Sequence, residues 1–221
     1  MKHTYRKIFT IAVLAMFVVF GLAAQAAIEQ QNVVETPVQA EVAQTAEATT
    51  GTKAEDQTGD KADGILYMRE EEKLARDVYL ALYKIWGIRT FANIANSEQQ
   101  HMDAVAYLIS AQGLTDPAAQ TAPGEFQNPV LAKLYTDLVA EGSKSIVDAL
   151  KVGATIEDLD IYDLEKFIAE TDDPDTIAVY SNLLRGSENH MRSFIGQLSR
   201  YGAVYTAQFI TAERLNSIIG R

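Results

Sequence analysis

Three histidines, His3, His101 and His190, are the only imidazoles in the 221-residue chain, and it has no cysteine. His101 closes the run Ser97-Glu98-Gln99-Gln100-His101. On a helix its imidazole and the Glu98 carboxylate share one face, because residues three apart are neighbours there. Carboxylate oxygen and imidazole nitrogen together suit iron, manganese or zinc. The lack of cysteine excludes a thiolate site and a catalytic thiol. The direction of that face decides more than the spacing does. At about 100° per residue, Phe91, Ile94, Met102, Val105 and Ile109 all fall within about 40° of Glu98. Glu98 therefore lies in the middle of an apolar stripe, where a carboxylate is expensive unless paired or bound to a metal.

The same construction works on two later segments. Leu150, Gly153, Ile161, Leu164 and Ile168 surround Glu157, and Tyr180, Leu183, Met191, Phe194 and Leu198 cluster with Ser187 and His190. A fourth segment carries Glu70-Glu71-Glu72. Glu71 shares a stripe with Tyr67, Leu74, Val78, Leu82 and Ile85; Glu72 shares one with Ile65, Met68, Ala75, Tyr79 and Trp86. Either can face inward, and Glu70 is expected to face solvent. One inward carboxylate or imidazole is ordinarily a hydrogen-bonded core group. Inward polar groups on four helices, using both later histidines, point to a metal site in a bundle, where such side chains hold iron or manganese pairs.

The apolar period through these segments is 3.6, which predicts an all-α fold. The first helix is expected over 65–86, ending at Gly87. The second is expected over 91–112, with Thr90 as N-cap and Gly113 as its stop. Residues 114–128 read as a loop. Asn128-Pro129 then opens a short helix ending near Gly142. The third long helix is expected over 143–170, with Gly153 marking a bend or close packing. The fourth starts at Asp173-Pro174 and reaches about Tyr201, and a last short helix begins after Thr211. Four long helices with a long second-to-third connection fit a four-helix bundle with one crossover, the short extra helix lying inside that connection.

Ahead of this domain the composition changes twice. Lys2, Arg6 and Lys7 precede an apolar run over 8–23, and Ala24-Gln25-Ala26 follows as a small-x-small cleavage pattern. Residues 1–26 thus read as a signal peptide. The protein is expected to be exported, to the periplasm or the outside, and to touch the membrane only through that segment if it stays uncleaved. Residues 27–63 are rich in Ala, Glu, Gln, Thr and Val and lack aromatics, which reads as a disordered acidic linker. Residues 64–221 form one domain by size. The net charge is −11, and −14 once Lys2, Arg6 and Lys7 are removed. That balance argues against nucleic acid as a partner and leaves metal ions as the expected ones.

Over about residues 65–200 the sequence resembles the ferritin-like superfamily. Glu72-x-x-Ala75-Arg76-x-x-Tyr79 resembles the first-helix pattern of rubrerythrins, Glu98-x-x-His101 the second-helix Glu-x-x-His, Glu157 the lone glutamate of the third helix, and His190 the histidine of the fourth. The stretches MREEEKLARDVYLALY, SEQQHMDAV, VGATIEDLDIYDL and GSENHMRSF are similar to a bacterial and archaeal ferritin-like domain family of unknown function. The resemblance implies a ferritin-like four-helix bundle holding two iron ions, with manganese or zinc as alternatives. It also implies that Tyr79 can contact the site; as a bare residue Tyr79 reads equally as a core aromatic. Arg76 is expected to pair with a carboxylate near the site or with a solvated one, and Gln99 and Gln100 to lie on the surface.

The fourth helix departs from the resembling pattern. Ser187 stands where a glutamate is expected, and Glu188 lies about 100° round the helix. The ligand set is therefore Glu71 or Glu72 with Glu98, His101, Glu157 and His190. Two functions follow as expectations. One is a di-iron oxidoreductase acting in Fe(II) oxidation or on peroxide or dioxygen. The other is a non-enzymatic metal-binding or structural envelope module with an incomplete site. A monomer or dimer is expected rather than a cage.

Overall fold

Two proline-led helices begin where their caps require. In the computed structural model, the Asn128 side chain accepts from the Val130 backbone N–H at 2.9 Å, and Asp173 accepts from that of Thr176 at 2.8 Å. Proline follows each cap at a position that needs no hydrogen-bonded N–H. The structure describes the backbone of residues 54–220 and the side chains of residues 62–220. The signal peptide and residues 27–53 of the linker lie outside the described residues.

Among the described residues six helices follow in order: α1 Ala54–Trp86, α2 Arg89–Ala111, α3 Pro129–Gly142, α4 Ile146–Glu170, α5 Pro174–Arg200 and α6 Ala212–Ile219. No strand occurs among the described residues. The architecture is an all-helical bundle, compatible with the ferritin-like arrangement. Among the described residues no helix is long and apolar enough to cross a membrane.

Three local expectations change. α1 begins already at Ala54, inside the stretch read as linker. α2 begins at Arg89 with Ile88 as N-cap and no side-chain cap; Thr90 instead accepts from Gln197 of α5 at 3.0 Å. Glu70 is buried, not solvated. It accepts from the backbone N–H groups of Gln127 and Asn128 at 2.5 and 3.0 Å.

The cause of the last change is the long α2–α3 connection, which lies over a polar face of α1. Arg69 donates to both oxygens of Asp116 at 3.1 and 3.2 Å. Lys73 reaches Asp77 at 2.6 Å and the carbonyls of Ala122 and Glu125 at 2.8 and 3.0 Å. A buried charge persists when its donors are matched in this way. α1 consequently has almost no solvent face along its middle, with Tyr67 through Ala75 all buried.

Two apolar regions bracket the polar heart of the bundle. Towards one end, Ile65, Met68, Val105, Leu108, Ile109, Leu164, Tyr180 and Leu183 form a core cluster. Towards the other, the rings of Tyr79, Phe91 and Phe194 sit 5.3 to 6.1 Å apart, centroid to centroid. Gly153 explains itself here. A Cβ at that position would overlap the Phe194 ring, so its absence lets α4 and α5 approach closely.

Candidate metal centre

Between those apolar regions, α1, α2, α4 and α5 each contribute side chains to one buried spot. Glu98 stands at its middle. One of its oxygens lies 2.7 Å from His101 Nδ1 and the other 2.8 Å from His190 Nδ1. Glu72 Oε2 approaches His101 Nδ1 at 3.2 Å, and Glu157 Oε2 approaches His190 Nδ1 at 3.4 Å. The two rings stack at 5.4 Å between centroids. Two triads result, Glu72–Glu98–His101 and Glu98–Glu157–His190, each with ligand atoms within 4.8 Å of one another. They share Glu98.

Neighbouring groups hold these side chains in place. His190 Nε2 lies 2.9 Å from Ser97 Oγ, which leaves Nδ1 to face the site. Tyr79 donates to Glu157 Oε1 at 2.5 Å, so it contacts the site. Gly186 of α5 leaves room for the His101 ring, which any Cβ there would strike. Such outer partners fix ring orientation in metal sites.

Of the sequence-predicted residues, Glu72, Glu98, His101, Glu157 and His190 come together. Glu71 does not join them. Tyr67 donates to it at 3.5 Å, and burial, with the charges of Asp163 and Asp160 nearby, raises its carboxyl well above the usual range. Glu188 is turned away, bonded to Arg214 of α6 at 2.5 Å. Arg76 donates to Asp77 at 2.7 and 2.9 Å and to Gln99 at 2.5 Å, which makes Gln99 a half-buried acceptor rather than a surface residue.

Sequence reading missed Asp160. It lies one turn after Glu157 on α4, is buried, and accepts a hydrogen bond from Ser187. The Glu157-x-x-Asp160 spacing was the available signal.

Several buried atoms here have no hydrogen-bond partner: Glu72 Oε1, Glu98 Oε1, Asp160 Oδ1 and His190 Nδ1. Glu98 Oε1 and His190 Nδ1 are close together yet not aligned to bond each other. Buried polar atoms are nearly always satisfied. Convergent donors left unsatisfied, with both oxygen and imidazole nitrogen among them, fit a cation. The groups could hold a metal ion.

Without metal the charges are strongly perturbed. Burial pushes the Glu72 carboxyl up to about 7 against the pull of His101. Burial would raise Glu98 too, but the two imidazoles hold it down at about 2. Burial opposes charge on the rings, yet Glu72 and Glu98 hold His101 at about 12, and Glu157 and Glu98 hold His190 at about 10. Burial also raises Glu157 and Asp160, and raises Asp163 to about 6.

The signs set a stability profile. The raised carboxyls contribute fully below about pH 4 and lose that contribution as pH climbs through about 6 for Asp163 and about 7 for Glu72. The raised imidazoles contribute fully below about pH 6.5 and lose it towards about 10 and 12. Glu98 acts oppositely, losing its contribution as pH falls towards about 2. The metal-free protein should therefore melt highest near about pH 5 and progressively lower up to pH 8. Calorimetry of chelator-treated protein checks this; a Tm rising from pH 5 to 8 would contradict it.

The fold and site together define a class: helical-bundle proteins with buried glutamate and histidine groups able to hold a metal ion. The chain belongs to the family described as an uncharacterized protein domain, DUF2202, which matches residues 61–221. It is 55% identical over 160 residues to the uncharacterized protein MJ0754 of Methanocaldococcus jannaschii, covering 72% of this chain and 86% of that protein. The crystal structure of the hypothetical protein MJ0754 superposes with a TM-score of 0.72 at 50% identity, covering 80% of this chain and 98% of that one.

Proposed function

We propose that this is an exported ferritin-like protein whose site holds two iron ions and serves Fe(II) oxidation or the reduction of peroxide or dioxygen. The observation that carries this reading is the pair of triads sharing Glu98. Bound iron would supply one-electron Fe(II)/Fe(III) chemistry that no side chain here offers. The chain's own residues do the rest. Glu72 and His101 would hold one ion, Glu157 and His190 the other, and Glu98 both. Tyr79 fixes the Glu157 carboxylate, and Ser97 fixes the His190 ring. The aromatic trio and the apolar cluster exclude water from either side. Export is supported by the leader pattern of residues 1–26, and metal ions remain the proposed partners.

Ser187 favours a second reading, in which metal is held without redox turnover, since no carboxylate stands one turn before His190 on α5. Anaerobic loading with Fe(II), metal analysis and optical spectra on adding oxygen or peroxide separate the two. Two irons per chain and a new near-ultraviolet absorption are expected. Two bound ions with an unchanged spectrum would favour the second reading. Less than one iron per chain and no spectral change would overturn the first.

A further inference from the structure

We propose that Asp160 of α4 supplies the carboxylate missing at position 187 of α5, completing the two-metal site, with the Ser187 hydroxyl positioning it. The inference deepens the two-metal reading above and rests on it.

Ser187 occupies the α5 position one turn before His190, so its Cβ points at the same polar heart. A hydroxyl there is too short to reach an ion shared with Glu98. It is long enough to reach a neighbour, and it bonds Asp160 Oδ2 across the α4–α5 contact. Ser187 is fully buried and Asp160 is 5% exposed. The second Asp160 oxygen, Oδ1, is buried without a partner. Asp160 is also one helical turn from Glu157, so both carboxylates leave the same face of α4. The charges that act most strongly on it are those of Glu72 and then Glu157, one from each triad. Asp160 belongs to neither triad as the side chains stand, but a buried carboxylate one turn from Glu157, anchored by one oxygen and unsatisfied at the other, is the group available to supply a second shared ligand.

The Ser187 hydroxyl has two neighbours for one proton. Asp160 Oδ2 is one, and the Leu183 carbonyl at 3.0 Å is the other. Serine can therefore donate to an ionised Asp160, or turn to Leu183 when Asp160 is protonated.

The test is metal binding by anaerobic equilibrium dialysis against Fe(II), with Co(II) visible spectra as a second readout. The unaltered protein should bind two ions. Asp160→Asn should bind one, or two with at least about tenfold weaker affinity for the second. Its Co(II) spectrum should change, whereas a purely structural role would leave it unmoved. Ser187→Ala should weaken the second ion less and shift the same bands. The double variant Asp160→Asn with Ser187→Glu should regain the second ion. Two ions of undiminished affinity in Asp160→Asn overturn the assignment while leaving the two-metal reading intact. No binding by the unaltered protein overturns both. If Asp160→Asn loses helicity by circular dichroism, Ser187→Ala carries the test, and an unchanged affinity and spectrum there overturn it.

Discussion

Replacing Glu98 with glutamine should remove metal from both triads at once. No other side chain belongs to both groups. The amide keeps the shape of the side chain, but it presents one weak acceptor where two anionic oxygens faced two imidazoles at 2.7 and 2.8 Å. Loss of a shared ligand should weaken each ion by more than about 100-fold, beyond the usual effect of losing an outer-shell partner. On the proposed reading, the protein at an Fe(II) concentration of about 100 Kd should gain about 2.7 kcal/mol from bound metal. For a domain of this size that is roughly 5–10 °C in Tm. Glu98→Gln should show none of that gain, while Glu72→Gln should keep the ion of the other triad. Calorimetry with and without Fe(II) reads both. A Glu98→Gln protein that still gains the full Tm on adding Fe(II) would refute the sharing.

The second large effect concerns stability alone. Asp158, fully buried on α4, accepts from the Tyr205 hydroxyl at 2.7 Å and from the backbone N–H groups of Gln208, Phe209 and Ile210 at 2.5, 3.2 and 2.9 Å. It thereby fastens the segment between α5 and α6 to the bundle. Asp158→Ala leaves three backbone donors and a buried phenol without their acceptor. Each such orphan costs about 1–3 kcal/mol, less where water can reach it. A loss of about 3–5 kcal/mol is expected, enough to lower Tm by on the order of 10 °C. Urea unfolding measures it. A loss below about 1 kcal/mol would mean that Leu215 and Ile218 hold α6 without the aspartate.

The contrast between these aspartates and Glu98 explains what was legible in the sequence. Glu98, Glu157 and His190 sit on helices whose apolar stripes are clear, so a wheel finds their direction. The wheel assumes one solvent face. α4 has none over its middle, where residues 152 to 161 are all buried beneath α5, α3 and the C-terminal segment. There Asp158 and Asp160 look like surface residues in sequence and are network members in space. The same reasoning applies to α1. Glu71 and Glu72 lie on adjacent stripes, and both stripes are covered because the α2–α3 connection packs over what would otherwise be the outer face. Only the position of His101, on another helix, separates Glu72 from Glu71. The caps at Asn128, Asp173 and Thr211 were readable because they act within three residues. The latch at Asp158 acts across about fifty and left no local trace.

The donors of the candidate centre come from α1, α2, α4 and α5, first to last in the chain. No shorter fragment contains a complete triad pair, since Glu72 precedes and His190 follows everything else in the set. A nascent chain could present the Glu72–Glu98–His101 triad once α2 is made, but not the pair of triads until α5 has folded. Filling of the proposed two-metal site would be a late event, and its timing would give the surroundings a vote. Oxygen and imidazole donors alone discriminate weakly among divalent ions. An ion filling the proposed site would be chosen by supply, at the place where folding finishes.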